Sequence, residues 1–239
     1  MEATGRRIEA GRVIGEAFET YRSQAGPLLG GAAIVIGIAA VIYGILAVTG
    51  SLALYLLGAL IAFAASFLYT GYVVKLVQDV RDGRRDNSVG ELFSAAAPYI
   101  GTLILNGILA GIAITIGFVL LIIPGLILLT IWAVIAPSIV VEDQGVISAF
   151  GRSRELVRGN GWSVFGAIVL AFLIVFAVSL IAGLIGAALG DAGRVILQAI
   201  ANVLTAPVAA LVASILFFDL GGGAGAPTGP AAPPESPAV

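Results

Sequence analysis

The sequence predicts an all-α integral membrane protein whose six transmembrane helices form three hairpins, each preceded by an amphipathic interfacial helix. Three observations carry this. Of 239 residues, 59% are hydrophobic and only 11% charged, with a mean hydropathy of +1.09, whereas soluble domains hold about 45–50% apolar and about 25% charged residues. The apolar residues come in blocks of roughly 20, the length a helix rising ~1.5 Å per residue needs to cross a hydrocarbon core of about 30 Å. The charges gather in three stretches, one ahead of each pair of blocks.

Taken in order, residues 1–27 read as an amphipathic helix on the cytoplasmic side. Ile14, Ala17, Phe18 and Tyr21 fall at i, i+3, i+4 and i+7 on one face, with Glu9, Arg12, Glu16 and Glu19 on the other. Charged and apolar positions alternate from Met1 to Ala25, so the first span is expected as an uncleaved anchor. Spans 28–49 and 52–74 turn at Thr49-Gly50-Ser51. In the second unit, Ser88 and Glu91 have capping-box spacing and predict a helix start just before Leu92-Phe93. Spans 99–123 and 126–141 follow, with Pro124-Gly125 marking the reversal; a re-entrant fourth segment is the alternative. In the third unit, Ile147, Phe150 and Val157 share a face, while Arg154 and Arg158 stack at i, i+4 elsewhere. Spans 162–189 and 195–218 then turn at Gly190-Asp191-Ala192-Gly193. The membrane domain is thus 28–220, and the Gly- and Pro-rich stretch 221–239 reads as a disordered cytoplasmic tail.

The three lead-in segments resemble one another. Ile14-Gly15-Glu16-Ala17-Phe18, Val89-Gly90-Glu91-Leu92-Phe93 and Val146-Ile147-Ser148-Ala149-Phe150 each precede a long apolar run, which suggests three copies of one unit. Basic residues set the orientation. Arg6, Arg7, Arg12 and Arg22, then Lys75, Arg81, Arg84 and Arg85, then Arg152, Arg154 and Arg158 fall on one side, against Arg194 alone on the other. A multi-pass protein of the cell membrane with both termini cytoplasmic is expected.

The chain has no cysteine and no histidine, which removes thiolate chemistry and the commonest general base and metal ligand. No catalytic residue, cofactor or metal is expected, and an enzyme survives only if Glu142 and Asp143 bind a metal. By these spans no charged residue lies near a midplane, where coupled transporters usually place them. Asn106 in span three and Gln198, Asn202 and Thr205 in span six, the last three at i, i+4 and i+7 and followed by Pro207, form a candidate intramembrane polar surface. It would either line a cavity or bond neighbouring helices. Small residues at four-residue spacing, such as Gly58, Ala62, Ser66 and Thr70, point to close helix approach or a homo-oligomer.

The most distinctive segment is 123–166, with Pro124, Gly125, Trp132, Pro137, Glu142, Ala149, Arg152, Ser153, Leu156, Gly159, Trp162, Phe165 and Gly166. It resembles the membrane-domain family found alone or fused to glycerophosphoryl diester phosphodiesterases, as does the closing Phe218-Asp219-Leu220. The basic residue often following the family's Trp is missing after Trp162. The resemblance implies a six-span fold without a defined activity, since catalysis in the fused members belongs to a soluble barrel absent here. Arg152, Arg154 and Arg158 would lie near the headgroups, where guanidinium forks match phosphate oxygens. Glu142 or Glu155 is expected to pair with one of them and pin the loop, and Trp162 to act as an interfacial anchor. The expected function is a non-enzymatic membrane protein acting through contacts with lipid, including anionic headgroups, or with a membrane-protein partner, not nucleic acid. The alternative is a small transporter or lipid-handling protein using the polar residues of spans three and six.

Overall fold

The computed structural model describes residues 8–83 and 88–223. Arg6, Arg7, Arg84 and Arg85, and the expected tail from 224 onward, lie outside them. Among the described residues the chain is helical: α1 (Ala10–Ser23), α2 (Ala25–Ala32), a π-helical turn (Ala33–Gly37), α3 (Ile38–Ala47), α4 (Leu52–Arg81), α5 (Val89–Ala96), α6 (Ile100–Leu120), α7 (Ile122–Ile131), α8 (Ile135–Glu142), α9 (Val146–Val157), α10 (Gly161–Ala188) and α11 (Gly190–Asp219). Six stretches are long and apolar enough to cross a membrane: Ala25–Ala47, Leu52–Arg81, Val89–Leu120, Ile122–Glu142, Gly161–Ala188 and Gly193–Asp219. They pair into three hairpins, α2/α3 with α4, α6 with α7, and α10 with α11, and the amphipathic helices α1, α5 and α9 introduce them.

Local chemistry explains the boundaries. Ser88 and Glu91 close a capping box, so α5 starts where its spacing predicts. The second hairpin reverses at Leu121, the single extended residue between α6 and α7. Pro124-Gly125, expected to mark the reversal, instead lies inside the first turn of α7, where a missing N–H costs nothing. Gly125 there packs against the Phe118 ring, leaving no room for a Cβ. The third hairpin turns at Leu189-Gly190, with Gly190 at φ +79.

Burial is concentrated at the end of the bundle that carries α1, α5, α9 and Asp219, hereafter the loop end. Tyr69, Tyr72, Val73, Leu76 and Val77 of α4 meet Val164 and Ala167 of α10 and Leu211, Ile215, Leu216 and Phe217 of α11 in one core. The Tyr69 and Tyr72 hydroxyls donate to the Leu28 and Pro27 carbonyls at 2.9 and 2.8 Å, tying α4 to α2. Gly31 lets the Tyr72 ring come close. At the opposite, hairpin-tip end, Val48, Leu52, Leu120, Ile123, Leu184, Leu189 and Val195 are all exposed.

The amphipathic helices turn their apolar faces mainly to protein. α1 runs antiparallel to α11: Arg12 pairs with Asp219 at 2.7 Å, and the Tyr21 hydroxyl donates at 3.0 Å to the carbonyl of Leu204, several turns earlier on α11. The buried residues of α1 are Val13 and Ala17, and Phe18, expected on that face, is 68% exposed. In α9 the buried set is Ala149, Ser153, Leu156 and Val157, whereas Ile147 is exposed. The rest of each expected face does pack on the core, Ile14, Ala17 and Tyr21 of α1 and Phe150 and Val157 of α9, and the groove each helix enters decides which apolar residue is left outside.

Candidate functional site

The fourth span, Ile122–Glu142, is broken midway. Pro137 has no N–H and its ring displaces the carbonyl of residue i−4, which is Ala133. The helix accordingly stops at Ile131, passes through Trp132-Ala133-Val134 and resumes at Ile135. In hydrocarbon, the freed backbone groups need partners. Ser153 of α9, fully buried, supplies them: its hydroxyl donates to the Ile131 carbonyl at 2.9 Å and accepts from the Val134 N–H at 3.3 Å. The Phe150 ring, one turn earlier on α9, packs edge-on against Trp132 with centroids 4.8 Å apart. Ala149, fully buried, leaves room for that approach.

At the end of the same span Glu142 is a clamp. Its carboxylate takes a two-point contact from Arg152, Nε at 2.6 Å and Nη2 at 2.8 Å, and accepts the Gly223 backbone N–H at 2.9 Å. Arg152 also reaches Glu155 at 3.3 Å. The hydrogen bonds that Arg152 donates to Glu142 lift its pKa above the ordinary value, so the guanidinium stays charged. Three elements, α8, α9 and the turn after α11, thus meet at one carboxylate. Both Glu142 oxygens are occupied and Asp143 adopts a left-handed conformation (φ 54). Among the described residues no three carboxylates gather closely enough to hold a metal ion. Gly223 falls in the stretch expected to be tail; a backbone N–H carries no side-chain signature by which to find it.

Arg154 and Arg158 are placed differently from Arg152. Among the described residues neither makes an ion pair, and together they line an open cleft of about 580 Å³ with Ile131, Gly151, Glu155, Val157, Gly159 and Gly161; Glu155 there is turned to Arg152 at 3.3 Å. Gly159 has φ +88, a conformation that side chains resist, and it turns the chain from α9 into α10. Trp162, next to cleft-lining Gly161, is 88% exposed.

The polar residues of spans three and six do not form one surface. Asn106 is buried and donates from Nδ2 to the Val146 carbonyl at 2.8 Å, fixing the start of α9. α6 packs on α4, α7, α8 and α9, whereas α11 packs on α1, α2, α4, α8 and α10. On α11, Gln198 donates to Asn202 at 3.4 Å and Thr205 bonds back to the Ala201 carbonyl, with Asn202 exposed. The expected common surface is therefore two separate features, and Asn106 belongs to the α9 socket.

Comparison with known proteins places this architecture. The model of the Uncharacterised protein family (UPF0259) matches residues 49–211, which include the broken span, the clamp from Glu142 to Arg152, and the cleft. A UPF0259 membrane protein of Pectobacterium carotovorum subsp. carotovorum (strain PC1) is 32% identical over 150 residues, covering 62% of this chain and 59% of that protein. The chain thus spans under two thirds of that relative's length. No solved structure matches. The membrane family expected from segment 123–166 is supported under this description, not under the phosphodiesterase membrane-domain name. That family has no named catalytic activity. With its six apolar helices and well over half of its length matched, the chain belongs to the UPF0259 family of membrane proteins.

Proposed function

We propose that this is a non-enzymatic protein of the cell membrane, with its loop end in the cytoplasmic leaflet, that holds anionic phospholipid headgroups at Arg154 and Arg158. One observation carries the reading: these two arginines line an open cleft and make no ion pair among the described residues, while the acidic residues nearest them, Glu142 and cleft-lining Glu155, are both paired with Arg152. Glu142 is held by Arg152 and Gly223, so Glu155 alone offsets part of the positive field of the two arginines in the cleft. Exposed Trp162, next to cleft-lining Gly161, suits the boundary between headgroup and chain.

Each basic residue near an anionic surface contributes about 1 kcal/mol, so two contribute roughly 30-fold in retention. Native mass spectrometry of the purified protein with its bound lipids tests the reading. The wild type should retain phosphatidylglycerol or cardiolipin above their share of the membrane, and R154Q/R158Q should lose that enrichment. Equal lipid profiles for the two would refute it.

A further inference from the structure

We infer that the headgroup cleft is the mouth of a whole-lipid site, whose acyl chain enters a second, apolar cavity deeper along α10. The inference rests on the headgroup reading above. The cavity, about 440 Å³, lies between α6, α7, α10 and α11; Leu129, Trp132, Ile168, Phe172, Val175 and Leu216 line it. Its volume is in the range of pockets that enclose small ligands, roughly 300–1,000 Å³.

Two alignments join it to the cleft. Gly161 lines the cleft and Ile168 and Val175 the cavity. At seven-residue steps these three share one stripe of α10, so the cavity begins about 10 Å below the cleft. On the opposite wall Ile131 faces the cleft, and Trp132 and Ala133 the cavity, so the break in the fourth span is their common partition. A charged mouth above a dry pocket has the polarity order of a phospholipid. On the α10 and α11 walls Ala171, Ala209 and Ala213 keep the pocket open with small side chains, and no polar side chain except the Trp132 indole lines it. A polar solute finds no other partner in such a pocket, and a hydrocarbon chain in a bilayer needs none. The occupant assigned is one acyl chain of an anionic glycerophospholipid from the surrounding leaflet.

Photocrosslinking tests this on the intact protein. The protein is reconstituted in vesicles of phosphatidylethanolamine and phosphatidylglycerol (3:1) containing a trace of phosphatidylglycerol with a mid-chain diazirine, irradiated, and mapped by peptide mass spectrometry. Adducts on Leu129, Phe172 and Val175 are expected at least fivefold above those on the lipid-facing controls Leu184 and Val195, and A209L/A213L should reduce them to the control level. R154Q/R158Q should lower cavity adducts as well. Even adduct distribution in the wild type would overturn the inference. If so, continued phosphatidylglycerol enrichment would leave the headgroup reading standing. Cavity adducts that persist undiminished in R154Q/R158Q would instead show a chain site not coupled to the arginines, which contradicts the proposal. The wild-type adduct pattern decides the matter even if the filled variant does not fold.

Discussion

The two ends of the bundle are built from the same apolar alphabet and are held in opposite ways. At the loop end, α1, α4, α8, α9, α10 and α11 converge on buried aromatic and aliphatic residues, and ion pairs stitch the periphery: Arg12 and Arg81 share Asp219 and Glu16, and Glu142 takes Arg152 and Gly223. At the hairpin-tip end large side chains such as Val48, Val119 and Val195 face outward. Lipid tails are as apolar as leucine, so burial of such residues against another helix brings little in a bilayer. What distinguishes the ends is therefore polar bonding and shape, which are concentrated at the loop end. Specific contacts belong there, and the tips need only match the membrane.

Perturbations ranked by this contrast should break one end and spare the other. The largest effect is expected from Glu142→Ala, which leaves Arg152 only its contact with exposed Glu155 and leaves the Gly223 N–H without its partner. Removing one partner of a buried pair costs about 3–5 kcal/mol, and with Arg152 still 27% exposed the loss should lie at the lower end of that range. It would be read as a lower midpoint of unfolding in detergent with increasing dodecyl sulfate. Ser153→Ala comes next, because it leaves the Ile131 carbonyl and Val134 N–H without their partner in the broken span. Such unsatisfied groups cost about 1–3 kcal/mol, and backbone hydrogen exchange at residues 131–135 should rise with it. Tyr69→Phe removes only the hydroxyl on Leu28 and should cost about 1 kcal/mol in the same unfolding assay. Val195→Ala, at the tip and 69% exposed, should change the midpoint by less than about 0.5 kcal/mol. A tip variant as damaging as Glu142→Ala would break the comparison.

Much of this was legible in the residues. Block length and charge clustering pointed to six helices and the two ends, and the Ser88/Glu91 spacing to the start of α5. The Glu142–Arg152 contact lies within the pairing that the acidic neighbours of the arginines suggest. What was not legible depends on which groove a helix enters. Periodicity placed Phe18 with Ala17, but the groove beside α11 takes Val13 and Ala17 and leaves Phe18 outside. Pro137 announces a distorted helix, yet only the fold shows that Ser153, on the next amphipathic helix, fills the gap. Asn106 and the α11 trio share chemistry but not a helix interface, a distinction that one-dimensional spacing does not contain.

The sharpest comparison lies within one segment, between engaged Arg152 and open Arg154 and Arg158. Delipidated protein incubated with equal amounts of phosphatidylglycerol and phosphatidylethanolamine, and weighed intact by native mass spectrometry, reads it directly. The wild type should carry phosphatidylglycerol at least tenfold over phosphatidylethanolamine, and R154Q/R158Q should bring the ratio near one while remaining folded. A ratio near one in the wild type, or an unchanged preference in R154Q/R158Q, would contradict a headgroup site at the cleft.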